Sequence, residues 1–399
     1  LAILKFVKIN KEMKEVYLDY AATTPLRKEA REEMEKYFSE IFANPVSLHS
    51  FGQKTLKAVD ESRNKIKEIL QTESYKEIIF TASSTEANNY ALKGLILYYY
   101  FKKGYKKSHV ITSSIEHPSI LDTLADLEDL EIVEVTYLKP KENGLIDSEE
   151  IVSQIKENTI LVILHYINSE LGNRQKVEEI GNFLEKINKE RKEKVFYHLD
   201  GAQAGLTENL NVKDLKCDFL TLSSHKIYGP KGIACLYIKS GTPLLRLISG
   251  SGHEFDLRGG TEAVPLIVGF AKAMEIASYE KEKNIKHFRE IRDYFLQKLK
   301  EENISFEVNT NLENSSPKIL NLYFPQKSSQ EIFLYLDFNK IYVSPGTACK
   351  SRSPEPSYMV AEVFRNKERA QRSLRFSFGL ETTKEDIDYV VYVLKNFLL

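Results

Sequence analysis

From Ile78 onward the chain alternates short apolar runs with segments of helical period, and this alternation restricts the fold more than any other feature of the sequence. Ile78-Ile-Phe80 gives way to Thr81-Ala-Ser-Ser-Thr85-Glu86, which opens a helix expected over about 87–101. Val110 to Ser113 gives way to Glu116-His117-Pro118 and a helix through about Leu127. Further strands are expected at 132–138, 160–166, 195–199 and 217–222. These runs are apolar throughout instead of alternating with polar residues. Strands of that kind are covered on both faces, so the pattern predicts an α/β fold with a mainly parallel sheet between layers of helix.

In such sheets the ligand crevice lies outside the carboxyl ends of the strands. Two runs stop on residues with chemistry to offer. Val195, Phe196, Tyr197 and Leu199 stop at Asp200, and Cys217, Phe219, Leu220 and Leu222 stop at Ser223-Ser-His225-Lys226. A carboxylate, two hydroxyls, an imidazole and an amine are thereby offered to one small volume. A desolvated lysine condenses readily with a carbonyl, and a carboxylate holds a pyridinium nitrogen protonated. Each also has an ordinary reading, Asp200 as a turn or cap residue and Lys226 as a loop lysine. Ser84 and Thr85 open a helix, where hydroxyls serve as caps and free N–H groups favour an anion. His117, between a strand and a Pro-started helix, reads as a cap or as a site residue.

Elsewhere the pattern is plainer. Ala30, Met34, Phe38 and Phe42 recur every four residues and predict a helix over 26–42. Ala43 to Gly52 forms a polar loop in which His49 either braces the turn or meets a ligand. The Gly-rich stretch Ser249 to Ala263 suits close approach of backbone to a ligand. One long helix is expected over 264–299, followed by shorter strands at 305–308 and 319–323. Val343 to Ser357 is rich in turn residues and reads as an exposed, mobile loop, an unusual setting for Cys349. Cys217 and Cys235 lie within apolar runs and are expected to be inert.

Lys and Arg number 56 against 57 Asp and Glu, so no net field draws nucleic acid or acidic lipid. No apolar run is long enough to span a bilayer, and the opening LAILKFVKINKEMKEV is too charged for a secretion signal. Three scattered cysteines make neither a disulfide framework nor a metal site, which fits a reducing cytoplasm.

Nine stretches, in order, carry a resemblance: YLDYAATTP, NPVSLHSFG, FTASSTEANN, SIEHPS, HLDGAQ, SSHKIYGPKG, GHEFDLRGGT, GTACKSRSPEPS and LRFSFG. Together they resemble the cysteine desulfurases of the nitrogen-fixation and iron–sulfur-cluster type, in the class V aminotransferase group. The resemblance implies a fold-type I transferase using pyridoxal 5'-phosphate (PLP). Its large domain, with a mainly parallel seven-stranded-type sheet, would span 16–260. A smaller α+β domain would span 261–399 together with 1–15. By the same resemblance Lys226 carries PLP, Asp200 partners the pyridinium, Gln203 meets the ring hydroxyl and His117 stacks on the ring. Ser84, Thr85, Ser223 and His225 hold the phosphate, and Thr261 reaches the phosphate from the other subunit of a homodimer. Asn168 and Arg375 meet the substrate, L-cysteine, and Cys349 takes its sulfur as a persulfide for an acceptor protein. The chain departs from the family pattern at Ser169, which stands for a ring-contacting asparagine. It departs also at Ser83 for a glycine, at Phe255-Asp256 for an Arg-Gly-like pair, and at Pro345 in the cysteine loop. The chain also ends at Leu399, where the assembly-type members carry a longer tail that helps hold the acceptor. An aminotransferase or lyase acting on another amino acid shares the PLP residues, and a non-catalytic persulfide carrier on the same scaffold shares the cysteine.

Overall fold

The computed structural model describes residues 14–250, 252–346 and 356–399, so the expectation for Cys349 lies outside the described residues. Strand β1 (Val16–Tyr17) is followed by helices α1 (Lys28–Ser39) and α2 (Ser50–Leu70). Strands β2 (Ile78–Thr81), β3 (Ser108–Ser113), β4 (Val133–Leu138), β5 (Thr159–His165), β6 (Phe196–Asp200), β7 (Phe219–Ser223) and β8 (Ala234–Ile238) come next. They are interleaved with α3 (Ser84–Lys102), α4 (Pro118–Asp129), α5 (Ser148–Ser153), α6 (Val177–Asn188) and α7 (Val212–Leu215). The remainder runs α8 (Val264–Tyr279), α9 (Lys281–Glu301), β9 (Glu307–Val308), β10 (Ile319–Tyr323), α10 (Ser329–Phe338) and β11 (Ile341–Tyr342). It ends with α11 (Tyr358–Phe364), α12 (Lys367–Gln371), β12 (Ser373–Ser377) and α13 (Lys384–Leu398).

Seven strands form one sheet in the order β2-β8-β7-β6-β5-β3-β4. The five from β7 to β4 are parallel, while β8 runs antiparallel to both its neighbours. The apolar runs are explained by their cover. Ile79, Val110, Leu161, Ile163, Phe196 and Phe219 pack with α3 and α4 on one face. Their sequence neighbours Ile78, Phe80, Ile111, Val162, Leu164, Tyr197 and Leu220 join the larger core on the other, with α2, α6 and α8. Because β3, β5, β6 and β7 run parallel, Ser113, His165, Asp200 and Ser223 all end at the same edge. A three-stranded antiparallel sheet, β12-β10-β9, stands beside that edge. It is tied to the start of the chain by the parallel pair β1–β11 and by a bridge from Asp19 to Ser377.

Two expected helices end differently. The segment 264–299 is two helices, broken at Glu280, whose carboxylate accepts from Arg27 Nη1 at 2.8 Å. No Gly or Pro marks the break, so the helical period runs straight through it. Helix α1 stops at Ser39, with Ala30 and Met34 buried, whereas Phe38 and Phe42 are exposed. The strand expected at 305–308 shrinks to Glu307–Val308. His49 proves to be a cap: its Nδ1 accepts from the Gly52 amide at 3.1 Å at the start of α2. Cys217 and Cys235 are buried, and burial pushes both thiols up, that of Cys235 to about 12.

The Gly-rich stretch is held by one buried ion pair. Arg63 Nη2 of α2 meets Glu254 Oε1 at 2.5 Å, both side chains almost fully enclosed. Glu254 Oε2 also accepts the Phe80 amide at 2.8 Å, and Arg63 Nη1 donates to the Ile78 carbonyl. Glu254, Phe255 and Asp256 all have left-handed backbone, with φ of 48°, 58° and 65°. That conformation costs about 1–2 kcal/mol per non-glycine residue, so the turn persists because the pair overrides it. Arg63→Met leaves Glu254 buried and unpaired, and should cost about 3–5 kcal/mol of stability in denaturant unfolding. The double variant Arg63→Met/Glu254→Leu should recover much of that loss; equal losses in both would mean the pair does not hold the turn.

Candidate active site

Asp200 closes β6 with its carboxylate held from two sides. Oδ1 accepts the Ala202 amide at 3.0 Å, and Oδ2 accepts Asn88 Nδ2 at 2.8 Å. Asn88 lies on the first turns of α3, buried, and donates also to Ser119 Oγ at 3.0 Å. His117 caps α4: its Nδ1 accepts from the Ser119 amide at 3.1 Å. Burial pushes this imidazole down from its ordinary value, opposed by the Asp200 charge and reinforced by Lys226. Because Nδ1 accepts that amide, the proton of the neutral ring sits on Nε2.

Lys226 stands on a short 3₁₀ turn, 224–226, directly after β7. Its Nζ donates to the carbonyls of Ala21 and Ala22 at 2.6 and 2.7 Å. The stretch Ala21 to Thr24 thus straps the lysine turn. Thr24 N donates to the His225 carbonyl at 2.9 Å, and Tyr228 N donates to Thr24 Oγ1 at 2.8 Å. Gln203 Nε2 donates to the same Ala21 carbonyl at 2.9 Å, leaving Oε1 buried without a partner among the described residues.

Across the cavity, Arg375 of β12 places Nη2 2.6 Å from Asp19 Oδ1 and Nη1 2.9 Å from the Ser169 carbonyl, while its buried Nε has no partner among the described residues. Asn168 spends its side chain on its own loop, accepting the Glu170 and Leu171 amides at 3.0 and 2.8 Å and donating to the Ile115 carbonyl. Lys226, Asp200, Gln203, His117, Ser84, Asn168, Ser169 and Arg375 line one cavity of about 220 Å³ at the carboxyl edge of the sheet. Thr85, Ser223, His225 and Thr261 do not line it. Thr85 and Thr261 are exposed. Ser223 Oγ is buried with no partner among the described residues, and it lies across β8 from Thr81, close to the start of α3. His225 Nδ1 lies 3.1 Å from Thr23 Oγ1, and burial with nearby lysines takes its imidazole down to about 4.

Residues 16–390 match the aminotransferase class-V family. The chain belongs to that family. Over 385 residues it is 40% identical to the cysteine desulfurase IscS of Dictyoglomus turgidum, covering 96% of this chain and 95% of that one. It is 39% identical over 386 residues to the cysteine desulfurase IscS of Neisseria meningitidis serogroup C, covering 96% and 91%. A solved NifS-like protein superposes with a TM-score of 0.88 at 31% identity over 96% of this chain and 99% of that one. SspA in complex with cysteine superposes at 0.78 with 35% identity, covering 92% and 99%. The class-V family is PLP-dependent, and the expected α/β architecture is the one found.

Several residues at this class-V site gave no signal in the sequence. The carbonyls of Ala21 and Ala22 have no side-chain signature. Asn88 stands four residues after Ser84, on the same helix face and within the FTASSTEANN stretch, but nothing in that stretch points to Asp200 as its partner. His165 lines the cavity and pairs through Nδ1 with the enclosed Glu116 at 2.8 Å. Glu170 is wholly buried, which pushes its carboxyl up, and accepts from Ser357 at the far end of the cysteine loop. At that loop's described ends Val343, Ser344 and Ser357 are buried, Pro345 and Gly346 half-buried and Pro356 exposed, and the rest of the loop lies outside the described residues.

Lys318, 1% exposed, lies just before β10, and burial followed by the charges of Lys226 and Arg375 brings its amine down from 10.5 to about 7. Between those two values the unfolded chain holds a proton that the folded chain has lost, so stability rises with pH across the window. Below about pH 7 the cost of the buried charge is borne in full. Lys318→Met should accordingly melt higher than the parent at pH 6, with the gain shrinking toward pH 10. A gain independent of pH would show that the amine is not desolvated by folding.

Proposed function

We infer that the chain is a cysteine desulfurase that removes sulfur from L-cysteine, releases L-alanine and carries the sulfur on Cys349. The observation that carries this reading is the convergence of Lys226, Asp200, His117 and Arg375 on one cavity, in a chain 40% identical to a cysteine desulfurase over 96% of its length. The donor set fits PLP. Lys226 would hold its carbonyl carbon, Asp200 its pyridinium nitrogen, Gln203 its ring hydroxyl and His117 its ring face. The start of α3, with Ser84 and Thr85, together with Ser223 and His225, would take the phosphate. Gln203 Oε1, Ser223 Oγ and Arg375 Nε, which have no partner among the described residues, support that fit, since buried polar atoms rarely stay without partners. When bound, PLP supplies the electron sink for cleavage next to the amino-bearing carbon.

The chain's own groups do the rest in this reading. Arg375 binds the substrate carboxylate, its fork already oriented by Asp19 and the Ser169 carbonyl. Lys226 Nζ takes the α-proton, and His117 lies at the ring face to relay a proton. Asn88 and the Ala202 amide hold Asp200 in orientation. The Cys349 thiolate forms a bond to the substrate sulfur as that sulfur parts from its carbon. The carbon keeps the electron pair, takes a proton and leaves as alanine, so the thiol becomes a persulfide. The acceptor is a protein whose identity this chemistry leaves open, and the cytoplasm is the compartment we propose. Among the described residues no helix is long and apolar enough to cross a membrane.

We also propose the two-unit division at 260/261, with α8 packed on α1 and α2 and so tying the second unit to the first. The protein is proposed to be a homodimer, with Thr261 meeting the partner's cavity. The exposed apolar side chains of Phe38, Phe42, Val46 and Leu48 support this. Sedimentation should find a species of twice the chain mass, and Leu48→Glu should weaken it; a parent that sediments as a single chain at micromolar concentration would end the proposal. Supplied with PLP, the parent should absorb visible light and Lys226→Ala should lose that band. Cys349→Ser should keep the band yet release no alanine from L-cysteine. Alanine and sulfide at the parent rate from Cys349→Ser would overturn the reaction assigned here.

A further inference from the structure

The guanidinium that the cavity offers a substrate carboxylate is already shared. Apart from Lys226, which the reading above commits to the cofactor, Arg375 is the one lysine or arginine among the described residues that line the cavity. Its Nη2 lies 2.6 Å from Asp19 Oδ1 and its Nη1 2.9 Å from the Ser169 carbonyl. Two of the five N–H donors of an arginine are thus engaged before any ligand enters. Asp19 lines the same cavity, and its backbone is anchored on the strand that carries Arg375. It bridges to Ser377 of β12, and the Leu18 carbonyl before it accepts the Ser377 amide at 2.7 Å. That anchorage keeps the Asp19 carboxylate beside the fork while the fork is in use. A carboxylate received on the remaining N–H groups of one small planar guanidinium lies within a few ångströms of Asp19. Two anions then share one cation, and a third finds no other lysine or arginine among the described lining residues.

We propose that Asp19 is a specificity-determining residue: it occupies part of the Arg375 fork, places a fixed negative charge beside it, and so limits the site to amino acids with a single carboxylate. The proposal rests on the reading of Arg375 as the group that grips the substrate carboxylate. L-Cysteine meets the limit, because its thiol is largely uncharged at neutral pH. An amino acid with an acidic side chain is refused by charge and not by size. Discrimination of this kind comes from repulsion built against the wrong ligand, not from added contacts to the right one. It has a cost, since a single carboxylate is held less tightly beside Asp19 than on a guanidinium with no anion next to it.

The test compares L-aspartate with L-asparagine, which match in shape and differ by one charge. Each is titrated into the PLP-loaded full chain near neutral pH, and binding is followed by the change in the visible band, so no turnover is needed. The parent should bind L-asparagine roughly tenfold more tightly than L-aspartate, or better. Asp19→Asn keeps an acceptor for Arg375 Nη2 and removes the charge. It should bind L-aspartate roughly tenfold more tightly than the parent does, with a smaller gain for L-asparagine. Equal affinities in the parent, equal gains in the variant, or no gain at all overturns the proposal. Refusal of both ligands by the parent would make size the limit and overturn it too. If Asp19→Asn fails to fold, the parent comparison decides alone. Arg375→Met separates the two readings: L-asparagine binding at the parent's strength in that variant would mean that Arg375 does not grip the carboxylate, whatever Asp19 does.

Discussion

The hydrogen bonds between the Ala21-Ala22 carbonyls and Lys226 Nζ join parts of the chain some 200 residues apart, and the geometry of the site depends on them. The strap that supplies these carbonyls is itself anchored on the small unit. β1 pairs with β11, the Leu18 carbonyl accepts the Ser377 amide at 2.7 Å, and Asp19 grips Arg375. The lysine turn, by contrast, belongs to the large sheet. The amine and the guanidinium on opposite walls of the cavity are therefore referenced to one short stretch of backbone.

Around that strap the cavity is built mostly from buried charge with few direct opposite partners. Asp200 is oriented by an amide side chain and a backbone N–H, not by a cation. Glu116 faces His165, and Glu170 faces a serine hydroxyl. Lys318 faces a carbonyl. Burial pushes the Glu170 carboxyl up and brings the Lys318 amine down to about 7, the outcome expected where no direct opposite charge offsets the loss of water. Two tight ion pairs, Arg63–Glu254 and Arg375–Asp19, hold a strained turn and the Arg375 guanidinium in place.

The departures from the family pattern fall in different structural settings. Ser83 caps α3, its Oγ accepting the Glu86 amide at 3.1 Å, so the serine adds a cap bond that a glycine would lack. Phe255 lies against the Arg63 guanidinium, 5.0 Å from its ring centre, and so helps enclose the buried pair. Ser169 lines the cavity with its carbonyl committed to Arg375, while the neighbouring Asn168 is consumed by its own loop. Where the family pattern carries an asparagine, the cavity wall at 169 thus presents a hydroxyl-bearing side chain.

The sequence by itself determined the layered architecture and the edge on which the chemistry sits. Apolar runs covered on both faces demand a mainly parallel sheet, and runs that stop at Asp200 and Ser223 put those residues and Lys226 at its carboxyl end. It also marked Cys217 and Cys235 as inert, because a thiol inside an apolar run is a core residue. The tertiary structure alone decided which carbonyls hold Lys226, because backbone acceptors have no residue-type signature. It decided that Asn88 serves Asp200 and that Lys318 is buried, because a lysine before a strand is ordinarily solvated and only packing between the two sheets encloses it. It placed the helix break at Glu280 and the end of α1 at Ser39, where apolar spacing continues unbroken and tertiary contacts, not local propensity, set the boundary. Periodicity reports which face of an element is covered; it cannot report what covers it, and the cover assembled this site.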